Sequence, residues 1–125
     1  MIDFENGSFI KLKRINPDVV SSEITPLLIE DEEIISAYKA MRDYVVFTDK
    51  RVISVNTQGI SGKKKDFTSL PYAKISVFSV ETSGIMDLDS ELELYFSGVG
   101  KVIFEFSGES NIIEIGQLIS SFALK

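Results

Sequence analysis

Lys63-Lys64-Lys65 is the densest positive charge in the chain, with Arg42, Lys50 and Arg51 near it in sequence. Clustered ammonium and guanidinium groups can hold a polyanion such as an inositol phosphate or an anionic lipid surface. The plainer reading is a set of solvated Lys side chains at a turn, where charge also discourages strands from pairing at an open edge. Contact with a partner subunit is the third option. Opposed to this cluster, Asp87, Asp89, Glu91 and Glu93 alternate with Leu88, Leu92 and Leu94. An EF-hand loop would need Gly at its sixth position and Glu at its twelfth, but counting from Asp87 these are Leu92 and Gly98. The pattern predicts a strand with a wet acidic face and no metal site. The run Glu30-Asp31-Glu32-Glu33 reads as a solvated connection, since adjacent loop carboxylates cannot flank a substrate as a glycosidase pair must. Gly59 to Lys63 and Gly98 to Lys101 lack full phosphate-loop spacing and a following helix, so both read as hairpin turns.

The residue types that are missing narrow the chemistry further. With no His and no Cys, the chain has no Ser-His or Cys-His nucleophile, no thiolate metal site and no side chain that titrates unperturbed near neutrality. Acid-base work would fall to carboxylates, Lys and Tyr. The expectation is a protein without cofactor, metal or catalytic residues. A net charge of -6 and a pI near 4.6 oppose binding of nucleic acid or an anionic membrane over the whole surface. The start MIDFENGSFIKLKRI lacks the basic and apolar regions of a signal peptide, and no run of roughly 18 apolar residues occurs. A cytoplasmic protein is expected.

At 125 residues, 44% of them hydrophobic and nine of them Phe, the chain suits one domain with a sizeable core. Asn16-Pro17-Asp18 opens a helix carrying Val19, Val20, Ile24, Leu27 and Leu28, which Pro26 should end or kink, and a shorter helix is read around Phe9 to Ile15. Beyond it come segments rich in Val, Ile, Phe, Tyr and Thr, separated by turn residues. The expected strands are 34–40, 44–48, 51–56, 64–70, 74–82, 91–97 and 101–106, an antiparallel meander of seven. After Gly108, Ser110 or Asn111 can cap a helix with Glu114 in its first turn, and Ile112, Ile115, Leu118, Ile119 and Phe122 form one apolar stripe. The chain thus divides into an N-terminal helical segment (1–30), a β-meander (31–107) and a C-terminal amphipathic helix (108–125) that plugs a split barrel. Some strands are apolar on both faces: Ile75 and Val77 point one way, Phe78 and Val80 the other. The second face needs a cover, either the N-terminal helix or a neighbouring subunit.

Seven strands closed by a C-terminal helix is the pleckstrin-homology layout, and particular residues carry a closer match. Arg42-Asp43-Tyr-Val-Val-Phe-Thr48-Asp49-Lys50-Arg51-Val-Ile53 is similar to a hairpin of bacterial pleckstrin-homology domains. Gln58 to Lys64, Leu70-Pro71-Tyr72, Phe78 to Gly84 and Met86 to Leu92 come in the same order. From about residue 30 onward the chain resembles the stand-alone bacterial pleckstrin-homology proteins. The resemblance implies a mainly β split barrel and assembly into closed homo-oligomeric rings, five-fold by expectation, with a protein partner next in view. It carries no catalytic or ligand-binding residues over. Eukaryotic phosphoinositide binders spread basic residues through the first hairpin; here that hairpin offers Lys39 and Arg42 and then Asp43, so a lipid partner is disfavoured. In a ring, Asp87 and Asp89 would meet basic residues of the next subunit, and Tyr72, Phe78, Val80 and Tyr95 are the remaining interface candidates.

Overall fold

The computed structural model describes residues 1–4, 8–82, 89–107 and 111–125. Eight strands form one curled sheet: β1 (Ser8–Ile15), β2 (Ile34–Ala40), β3 (Asp43–Thr48), β4 (Arg51–Gln58), β5 (Lys64–Pro71), β6 (Ile75–Glu81), β7 (Ser90–Phe96) and β8 (Gly100–Phe106). Their order is β5-β4-β3-β2-β1-β8-β7-β6. The mainly β class and the C-terminal helix are as the sequence predicts, with two corrections near the N-terminus.

The first correction is the eighth strand. The segment expected to hold a short helix is β1, which pairs antiparallel with β2 and parallel with β8, so the sheet is not a purely antiparallel meander of seven. Its apolar residues Phe9, Leu12 and Ile15 recur every third position, which imitates a helix. The spacing arises from a bulge: Lys11 has φ 58° and the register with β8 shifts between Phe9 and Leu12. Both Phe9 and Leu12 therefore enter the core while Ile10 faces outward.

The second correction concerns the single helix expected from Asn16. Asn16 does cap, accepting the Asp18 N–H at 3.0 Å, but the chain then makes a 3-10 turn (Pro17–Val19), one α-turn, α1 (Ser21–Ile24), and another 3-10 turn (Thr25–Leu27). Pro17 and Pro26 lack N–H donors and constrain the residues before them, so little room remains between them for a continuous helix. These turns still act as a cover. Val20 and Ile24 pack on the outward side chains of β2 to β4, namely Ala37, Tyr44, Val46, Ile53 and Val55, in a core separate from the barrel interior. This explains why β3 is buried on both faces.

Inside the curl, alternate residues of every strand build the main core: Leu12, Tyr38, Val45, Phe47, Leu92, Leu94, Val102, Phe104 and Phe106 are all buried there. The end strands β5 and β6 are consecutive in the chain, joined through a 3-10 turn (Tyr72–Lys74). The helix α2 (Ile112–Ala123) packs against that turn, β6 and β7 and plugs the gap. Asn111 caps it, its side chain accepting the Glu114 N–H at 3.1 Å, and Ile112, Ile115 and Ile119 are buried. Among the described residues no helix is long and apolar enough to cross a membrane.

Candidate functional site

The basic candidates do not form one patch. Arg51, at the start of β4, is bound inward: Nε and Nη2 each donate to the Glu32 carboxylate at 2.9 Å, Nη2 also donates to the Leu27 carbonyl at 2.7 Å, and Nη1 to Ser69 Oγ at 2.9 Å. Glu32 has a fully enclosed side chain. Burial alone would raise its pKa, but hydrogen bonds from Arg51, Thr48 and the Ile29 N–H outweigh that and hold it below the ordinary value. Thr48 Oγ1 donates to Glu32 at 2.7 Å and accepts the N–H of Lys50 and Arg51, while Asp49 accepts the Glu33 N–H at 3.0 Å. The Thr48-Asp49-Lys50-Arg51 motif is therefore a turn that fastens the 27–33 segment to the sheet. The acidic run expected to be solvated is, at Glu32, a buried anchor.

Lys65 is likewise paired, with Glu23 of α1, which also accepts the Tyr44 hydroxyl at 2.8 Å. These two bonds, Lys65 first, lower the Glu23 pKa. Arg42 donates to the Gly59 carbonyl at 2.8 Å across the barrel end, bracing the β4–β5 turn. Lys50, Lys63 and Lys64 are exposed. The same turn presents Ile60 fully to solvent, directly before Lys63 and Lys64. No signal of apolar period marks Ile60; its position at the tip, between Gly59 and Gly62, is what exposes it.

Of the interface candidates, Tyr72 is a core residue, only 2% exposed, so it offers no surface to a partner. The 3-10 turn aims it inward, where its hydroxyl donates to the Thr48 carbonyl at 2.7 Å and its ring stacks on Phe122 at 5.3 Å. Phe78 and Val80 face α2 and are half-buried, lining an open cleft of about 660 Å³ with Ile113, Gly116, Gln117, Ser120 and Ser121. Tyr95 is on the outer face of β7, 45% exposed, opposite Val77, which is 62% exposed. Asp87 lies outside the described residues. Asp89 is exposed at the entry to β7.

The alternation around Glu91 and Glu93 is a half-wet strand as expected, with Leu92, Leu94 and Phe96 inward. Its register adds what the spacing alone does not show. Glu81, Glu91 and Glu105 stand directly opposite one another on β6, β7 and β8. A hydrogen bond that protonated Glu105 donates to Asp89, burial, and the charges of Asp89 and Glu91 raise the Glu105 pKa, with Lys11 opposing them. Charge is thus divided across the sheet. Residues 34–71 contain seven Lys and Arg against three Asp, two of those cations being paired with Glu23 and Glu32 from outside the span, whereas residues 75–106 contain one Lys against six Asp and Glu. Counting charge separately in the two halves of the meander exposes this division, which the net charge conceals. Among the described residues, no group of acidic side chains is arranged to hold a metal ion.

Comparison with known proteins agrees with this architecture. The family model described as the bacterial PH domain matches residues 3–123. The uncharacterized protein YjqA of Bacillus subtilis (strain 168) is 40% identical over 123 residues, covering 97% of this chain and 98% of that protein. YozO of the same strain, also uncharacterized, is 31% identical over 100 residues, 80% of this chain and 86% of its own. The crystal structure of a DUF1696 family protein with a pleckstrin-homology domain, from Shewanella loihica PV-4, superposes with a TM-score of 0.80 at 35% identity, covering 91% of this chain and 98% of that one. A pleckstrin homology domain from Shewanella amazonensis SB2B gives a TM-score of 0.68 at 38% identity, covering 89% and 90%. With a curled sheet plugged by a C-terminal helix, and with the family model spanning nearly all of its length, the chain belongs to the bacterial PH domain family.

Proposed function

We propose that this protein is a non-catalytic interaction module that assembles with copies of itself into a closed, five-fold ring, whose surface is then read by a protein partner. The observation that carries this reading is the opposite charge of two sets of side chains, the exposed Lys50, Lys63 and Lys64 on one half of the sheet and the Glu81-Glu91-Glu105 row on the other. Opposite patches on one molecule favour head-to-tail contact, the kind that closes into rings. Each half also offers an exposed apolar anchor. Ile60 projects beside Lys63 and Lys64 on the basic side, and Val77 with Tyr95 forms a patch on the outer face of the acidic side, on the strands that carry Glu81 and Glu91. Docking the first on the second would bury the apolar groups at the centre and leave the charges at the rim, where they set orientation and encounter rate. A chain with no Cys has no need of an oxidising compartment, and the reading places the assembly in the cytoplasm.

Light scattering coupled to size exclusion, at several concentrations and two ionic strengths, tests it. The expected mass is about five times the 13.9 kDa of one chain, falling at high salt. A monomer at every concentration would overturn the reading. Ile60 beside two exposed Lys also favours a second reading, peripheral contact with anionic lipid through that turn. Salt-sensitive flotation with phosphatidylserine vesicles, lost on changing Lys63 and Lys64 to Ala, would select it.

A further inference from the structure

We propose that the cleft between β6 and α2 receives an extended segment of a partner protein, which adds to the sheet as a ninth strand. Its apolar side chains would enter the cleft at alternate positions, and its Lys or Arg would lie beside Glu81. Each end of the sheet has a row of backbone donors and acceptors that no neighbouring strand takes up. The β5 end is protected by its own chain: the Ile2 N–H donates to Thr68 Oγ1 at 2.9 Å, the N-terminal amine is held by Asp66, and Pro71 removes one donor. At the β6 end α2 packs against one side of the strand, but among the described residues no segment pairs along its edge. Its sequence, Ile-Ser-Val-Phe-Ser-Val-Glu, contains neither Pro nor Lys, the residues that usually blunt an edge.

The cleft beside that edge fits a strand. Phe78 and Val80 form one wall and Ile113, which is 57% exposed, the other. Gly116 lets helix and strand approach closely at the floor, since a Cβ there would meet Val80 Cγ2 at 3.0 Å, and Ser120 keeps the cleft open further along. At about 660 Å³ and open to solvent along its length, it leaves room for an extended chain. Charge defines the occupant. Beyond Val80 the strand ends at Glu81, and Glu91, Glu105 and Asp89 gather around the adjoining hollow, so a cation on the incoming strand would relieve their repulsion. Main-chain bonds to β6 would supply affinity and the alternate pockets specificity, as in strand addition generally. A second copy does not supply this strand through β5, whose edge its own residues already cover.

The full chain would be panned against a phage-displayed library of random dodecapeptides, and an enriched peptide synthesised. The expected peptides alternate apolar and polar residues with Lys or Arg at one end, and they slow amide exchange in β6. Ile113→Glu, a surface change, should weaken binding by about tenfold or more. If that variant misfolds, Gln117→Trp, which fills the cleft, should do the same. No enriched peptide, protection confined to other strands, or undiminished binding by the variant would overturn the proposal. So would β6 amides already protected in the free chain and released on dilution, because a second copy would then occupy the cleft. The readout is local to β6 and is obtained whatever mass the chain shows, so it fails independently of ring assembly.

Discussion

Replacing Glu32 by Ala removes the acceptor of four hydrogen bonds: two from Arg51, one from Thr48 and one from the Ile29 N–H. Breaking a buried ion pair by deleting one partner costs about 3–5 kcal/mol. Arg51 keeps the Leu27 carbonyl and Ser69 and is partly exposed, which places this case near 3 kcal/mol. For a domain of this size that is a fall in Tm of about 10 °C. Glu32→Gln keeps the shape but weakens charge-assisted bonds to neutral ones, for a loss of about 1.5 kcal/mol. Urea titrations followed by circular dichroism give both numbers. The pH dependence has a definite sign. Because the folded pKa of Glu32 is lowered, its contribution is complete above the unfolded value and is lost as pH falls through the folded one. The gap between wild type and Glu32→Gln should therefore be constant near neutrality and close in acid. A loss below about 1 kcal/mol for Glu32→Ala, or a gap that persists in acid, would refute the assignment of Arg51 to a structural anchor and return it to the ligand candidates.

Gly100 has φ 139°, and a Cβ there would lie 2.8 Å from Phe4 Cβ, so Gly100→Ala should cost about 2 kcal/mol or more in chemical denaturation. The Gly100→Ala loss should be smaller in a background where Phe4 is changed to Gly, which removes that Cβ. Tyr72→Phe deprives the buried Thr48 carbonyl of its hydroxyl donor, and thermal melts should report a loss of about 1 kcal/mol with no change in assembly. Glu105→Gln should stabilise the protein near neutrality by about 0.5 kcal/mol. The pKa of Glu105 is raised, so its repulsion is absent below the unfolded value and grows as pH rises through the folded one; the gain should vanish in acid. Changing Lys63 and Lys64 to Ala should leave Tm within about 1 °C of wild type, because both are exposed, while lowering the mass seen by light scattering at low salt.

The elements legible in the sequence are those marked by composition between turns or by an undisturbed period. Strands β2 to β8 stand out as runs of Val, Ile, Phe, Tyr and Thr bounded by turn residues, and the helix stripe Ile112, Ile115, Ile119 repeats at helical spacing; both are readable without any contact being known. β1 is not, because a single bulge at Lys11 converts a period of two into one of three. Sites are less legible for a physical reason. Arg51, Lys65 and Lys63 look alike in a sequence, and only the fold sets the first against Glu32, the second against Glu23 and the third in water. Tyr72 reads as a surface aromatic because the turn that aims it inward has no apolar period of its own.

The parallel pairing of β1 with β8 has a consequence for how the chain is made. The Ser107 N–H donates to the Leu12 carbonyl at 2.9 Å, and Phe9 stacks on Phe104 at 5.5 Å, so the middle of the sheet is stitched from the two ends of the sequence. On the ribosome, β2 to β5 can form local hairpins as they emerge, whereas β1 keeps one flank open until β8 has been synthesised. Closing so long a loop places this step late and makes it slow. Until then Phe9 and Leu12 stand beside an unfilled edge, and this is the nascent chain's most aggregation-prone interval.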